Sequence, residues 1–244
     1  MDTSLTNINK YNLYPDIISY DQNNPSLRSP YSEYDLPFYQ TKEALMDVDV
    51  YRRFLKSVES AFIASKDYKA YKSYVMEYIG SDRCQILGNI TSEDATIELH
   101  HNVLGLFDIC LLISSHCVNT IGIISSFDLM QLLILEHYEN RVGLTMLSKT
   151  AHQKFTSDPN AFIPPEQTFG RWWELLDRYK YGITLSIATK VINYVKKCNS
   201  DNPVTNIIFE QQEQILNFAW ANEYGENYDK LGFLPNYKEF EEQY

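Results

Sequence analysis

A chain of 244 residues that is 44% hydrophobic is long enough for one sizeable core. Its net charge of −11 and pI near 4.9 argue against a surface built throughout to hold a polyanion. Four cysteines with no CxxC pair exclude a disulfide framework and a zinc ribbon, and the apolar stretch 103–138 is broken by Asp108, His116 and Asp128, which excludes a membrane span.

In chain order, residues 1–40 are rich in Asn, Asp, Ser, Tyr and Pro without a lasting period and read as an extended arm. The opening MDTSLTNINKYNLYPD has neither the basic nor the apolar region of a secretory leader, which with reduced thiols predicts a cytoplasmic protein. From about Lys42 the pattern turns helical, with Val50, Phe54, Val58 and Phe62 at steps of four. A second helix carries Tyr68, Tyr71, Tyr74, Val75 and Tyr78 and closes at Gly80. Lys66, Lys69 and Lys72 between those tyrosines make either an aromatic-basic nucleic-acid surface or a core face backed by solvated lysines. Next come a short strand over 83–89, a polar turn over 91–94 and a strand ending at His101, which together predict a hairpin. Helices follow over 106–115 and over 127–138, the latter with Ser126 as N-cap; His116 and His137 fall within them as packing or capping residues.

Ser148 as N-cap sets His152 one turn inside the next helix. Amphipathic helices over 168–179, 184–197 and 205–224 complete the body. Trp172 and Trp173 either stack on exposed bases or pack with Leu175, Leu176 and Tyr179. Residues 233–244 form an acidic-aromatic tail that docks on a partner protein or covers the chain's own basic face. Charge is segregated: 84–140 has no Lys or Arg, 141–197 has nine against four acidic residues, and 198 onward has nine acidic residues against two lysines. The predicted organisation is an arm at 1–40, a body at 41–200 and a helix with tail at 201–244.

The chemistry gathers at Ile97-Glu98-Leu99-His100-His101 and at Ser148-Lys149-Thr150-Ala151-His152. A strand-borne His pair facing a helix-borne His is one way to hold a divalent cation beside a general base. Together with Cys84, these segments resemble the HNH (His-Asn-His, ββα-metal) nuclease family over residues 83–157, as found in phages and other mobile elements, with weaker similarity at Phe169-Gly170-Arg171-Trp172-Trp173. The resemblance implies a mainly helical α+β fold in which a small hairpin-helix metal core, interrupted by a helical insertion over 103–139, sits among helices with extended arms at both ends. It also implies metal-dependent hydrolysis of DNA phosphodiester bonds in the host cell cytoplasm. His101 would be the general base, His100 and His152 the ligands of one Mg²⁺, Mn²⁺ or Zn²⁺ ion. A neutral imidazole is a competent base near pH 7, and a cation stabilises the charge that builds on the phosphate.

The sequence departs from the family pattern at Gly143, where the central Asn is expected, leaving Asn140 as the nearest supporting amide. Thr156 stands where a second helix-borne His is common, and Asp108 is a distant carboxylate able to complete the site. Ser148 and Ala151 replace the paired cysteines of some members. A descendant that keeps the fold and loses the activity would be a phage structural or partner-binding protein. A helical regulator would make the His pair incidental.

Overall fold

A computed structural model describes residues 39–41, 47–158, 161–198 and 203–224; the expected arm over 1–38 and tail over 225–244 lie outside them. The chain is a mainly helical α+β protein. After strand β1 (Tyr39–Thr41) comes helix α1 (Val48–Ala64), started by the Asp47 carboxylate, which accepts from the N–H groups of Asp49 and Val50 at 2.9 and 3.1 Å. Its buried face is Leu55, Val58 and Phe62. Ser65 ends α1 and caps α2 (Lys66–Glu77) by accepting from the Tyr68 N–H. Tyr68, Tyr71 and Val75 of α2 are buried while Lys66 and Lys69 are exposed, so the tyrosine stripe is a core face backed by solvated lysines.

Helix α3 (Leu106–Thr120) continues past the expected end at 115. Ser114 and Ser115 look like breakers in sequence, yet both hydroxyls lie 2.7 Å from the Tyr51 hydroxyl of α1, and a satisfied serine does not compete with the helix. Strand β3 (Ile123–Ser125) leads into α4 (Ser126–Tyr138), capped by Ser125 rather than Ser126. Strand β4 (Leu144–Ser148) runs directly into α5 (Lys149–Ser157), with Ser148 as the expected N-cap. Helices α6 (Trp172–Arg178), α7 (Leu185–Lys197) and α8 (Pro203–Tyr224) close the body.

The hairpin expected between 83–89 and 95–101 is replaced by a pairing of higher sequence separation. Strand β2 (Ile97–His101) pairs antiparallel with β4, from Ile97 opposite Ser148 to His101 opposite Leu144. The run 83–89 makes one isolated bridge, Arg83 to Thr91, and turns at Gly88 with φ +64°. The reason is burial: all five residues of β4 are buried, which no partner within 83–89 matches. The second edge of β4 is covered as well, since the Gln85 N–H donates to Met146 O at 2.8 Å, its side-chain oxygen accepts from the Met146 N–H at 2.7 Å, and Phe169 exchanges two 2.9 Å bonds with Leu144. A strand so enclosed offers no free edge. The Phe169 pairing also explains why the helix expected from 168 starts at Trp172, because Gly170 must adopt φ +98° between them. Strands β1 and β3 form a separate two-stranded antiparallel sheet.

Where α4 meets α6, Glu136 is fully buried. Its carboxylate accepts from Arg141 Nε at 2.5 Å and from the Tyr179 hydroxyl at 2.8 Å. Arg178 Nε lies 3.1 Å away as an ion pair rather than an aligned hydrogen bond.

Candidate functional site

Successive residues of a strand point to opposite faces, and β2 therefore separates its two histidines. His101 shares the inner face with Ile97 and Leu99 and meets His137 of α4, Nε2 to Nε2 at 3.0 Å, with the Tyr68 ring stacked 6.4 Å away. His137 Nδ1 lies 2.6 Å from the Leu133 carbonyl. A carbonyl can only accept, so Nδ1 carries the His137 proton and its Nε2 is a lone pair; His101 must then donate from Nε2. The tautomers follow from this network. Burial holds the His137 pKa down at about 4, against a smaller upward push from the Leu133 carbonyl. Burial also depresses His101 well below its ordinary value, with His137 adding to the effect. The nitrogen that a general base would use is thus committed to a core hydrogen bond.

On the opposite face, β2 presents Glu98 and His100 to α5. His152 Nδ1 sits 2.5 Å from Glu98 Oε2, and the His100 ring stands edge-on to the His152 ring at 5.0 Å. Burial, with His152 contributing, lowers the His100 pKa to about 4. The structure therefore brings His100 and His152 together and sets His101 apart. Among the described residues no group of three or more His, Cys, Asp or Glu is arranged to hold a metal ion. Two imidazoles, with the one nearby carboxylate engaged by His152, do not make the closed or three-ligand sites that divalent cations occupy.

The supporting positions are occupied by local structure. Asn140 takes φ +56° after α4, donating its N–H to the His137 carbonyl at 3.0 Å and accepting from the Arg171 N–H at 2.7 Å. It is a turn residue. The Thr156 hydroxyl donates to the His152 carbonyl within α5 at 2.8 Å. Asp108 accepts from the Gly105 N–H at the start of α3 and from Lys190 Nζ at 2.6 Å. Gly143 admits no side chain, because a Cβ there would lie 2.8 Å from the Asn102 carbonyl. The amide that works in this neighbourhood is Asn102, whose Nδ2 donates to Thr168 Oγ1 at 2.7 Å and Ile163 O at 3.2 Å. Trp172 is buried against Trp173 and Tyr194, which removes it from base stacking. Burial pushes the Cys84 thiol up, but hydrogen bonds from the backbone of Ser148, Leu87 and Ile86 and from the Ser148 hydroxyl outweigh it, leaving the pKa below its ordinary value.

Sequence reasoning missed Glu98, His137 and Asn102. Glu98 had a signal, since a polar residue two before His100 in an alternating strand shares its face. His137 had none, being 36 residues from His101. Among the described residues no helix is long and apolar enough to cross a membrane. A family model described as bacteriophage G278-like virion protein matches residues 3–223. No curated protein and no solved structure matches the chain.

Proposed function

Since the chain belongs to the bacteriophage G278-like virion protein family, we propose that it is a non-catalytic component of the phage particle that binds neighbouring virion proteins. The family match over residues 3–223 carries this reading, and it agrees with the phage origin expected from the sequence. The fate of the histidines supports it too: His101 is tied to His137 in the core, and His100 and His152 lack a third ligand among the described residues. For contact with a neighbour, α2 and α4 present a cluster of exposed tyrosines, Tyr74, Tyr78 and Tyr138, with Tyr74 ring contacts of 5.7 Å to Tyr78 and 6.0 Å to Tyr138. Tyrosine is enriched in protein interfaces. The acidic-aromatic residues 233–244 are a second contact in this reading.

The test is quantitative mass spectrometry of purified, nuclease-treated particles, with plasmid nicking by the isolated protein in Mg²⁺, Mn²⁺ and Zn²⁺. A constant copy number per particle and no metal-dependent nicking are expected. Absence from particles, or nicking that His101→Ala abolishes, would overturn the reading in favour of the nuclease.

A further inference from the structure

A cavity of about 210 Å³ opens between the α1–α2 junction and α4, lined by Phe62, Ser65, Asp67, Phe127, Met130, Gln131 and Ile134. The α4 residues fall at i, i+3, i+4 and i+7, one face of that helix, and Phe127 exposes 60% of its surface. An apolar groove of this kind is a docking site for a short extended or helical segment.

The segment is identified by the register of the small sheet. Tyr39 pairs with Ser125 and Thr41 with Ile123, antiparallel. Continued backwards, this pairing carries Phe38 alongside Ser126 and Pro37 alongside Phe127, at the mouth of the groove. Pro37 has no N–H to give, so the ladder ends there and the chain is released toward α4. The preceding residues have the right chemistry: Tyr31, Tyr34, Leu36 and Phe38 supply apolar bulk, and Glu33 and Asp35 oppose the exposed Lys66 and Lys69 of α2. Length is sufficient, because eight extended residues span about 26 Å and the groove's stretch of α4 from Phe127 to Ile134 rises about 10 Å. The C-terminal tail starts elsewhere, since Asn222 donates to the carbonyls of Lys180 and Ile183 at 3.0 and 2.9 Å and fixes the end of α8 beside the turn before α7.

We infer that residues 31–38 of the same chain seat in this groove, with Leu36 and Phe38 as the anchors. The proposal is tested by placing the photocrosslinker p-benzoylphenylalanine at Gln131, an exposed lining position, in the full chain. Equal amounts of ¹⁴N- and ¹⁵N-labelled protein are mixed, irradiated and digested with trypsin. The expected product joins the Gln131 peptide to residues 31–38 with both halves carrying one isotope. The double substitution Leu36→Asp/Phe38→Asp should lower the yield at least about tenfold while leaving the far-ultraviolet circular dichroism unchanged. Attachment to residues 225–244, a mixed-isotope product that reveals a second copy, no cross-link, or a yield indifferent to the double substitution would each overturn the proposal.

Discussion

His101 and His137 form a pair whose shared hydrogen bond exists while both rings are neutral. Protonating either one sets N–H against N–H or places a charge in the core. Their folded pKa values lie below the unfolded value of about 6.5, so the unfolded chain binds more protons in the interval between. Stability is therefore complete above about pH 6.5 and is lost as pH falls toward 4, with a slope of up to ~1.4 kcal/mol per pH unit for each histidine. Urea midpoints measured from pH 7.5 to 5 should fall, and the fall should be smaller in His101→Phe/His137→Leu. Glu136 makes a different prediction. Replacing it with alanine leaves Arg141 and Arg178 charged and uncompensated in the core, and a loss of about 3–5 kcal/mol is expected, read from chemical denaturation. Neither pair was legible in the sequence. A polar residue on an apolar helix looks the same whether it meets solvent or a partner 43 residues away, as Glu136 meets Tyr179.

At the level of elements, the helices were legible because their signals are local. Asp47, Ser65, Ser148 and Thr184 act as N-caps, and the spacing of Val58 and Phe62 marks the buried face of α1. Strand partners were not legible. Alternation marks Ile97 to His101 as a strand, but the choice between 83–89 and 144–148 depends on which pairing buries more, and that is decided by the helices packed around β4. The coupling of β4 to the loop at Phe169 gives a sharp test. A Cβ on Gly170 would lie 2.0 Å from the Val142 carbonyl, at φ +98°. Gly170→Ala is expected to cost about 2–4 kcal/mol through strain and displacement of the Val142 carbonyl, with a drop in Tm seen by calorimetry.

For the molecule as a whole, the basic segment 141–197 looked in sequence like a phosphate-binding surface. Four of its nine cations, Arg141, Arg171, Arg178 and Lys190, make ion pairs with the chain's own carboxylates. Combined with a net charge of −11, this predicts duplex DNA affinity weaker than about 10⁻⁴ M at physiological salt, the weak end of the non-specific range, measurable by fluorescence anisotropy.

The pairing of β2 with β4 across the intervening helices also governs how the chain reaches this structure. While α3 and α4 are being synthesised, β2 has emerged and has no mate. Closing so long a connection costs loop entropy before any ladder bond repays it, so the sheet is a late event, after α3 and α4 have packed. During that wait a strand carrying Ile97 and Leu99 is a hazard for intermolecular pairing, and Glu98 and His100 on its other face act as gatekeepers against aggregation. The residues that resemble catalytic ligands in sequence would then protect a nascent edge.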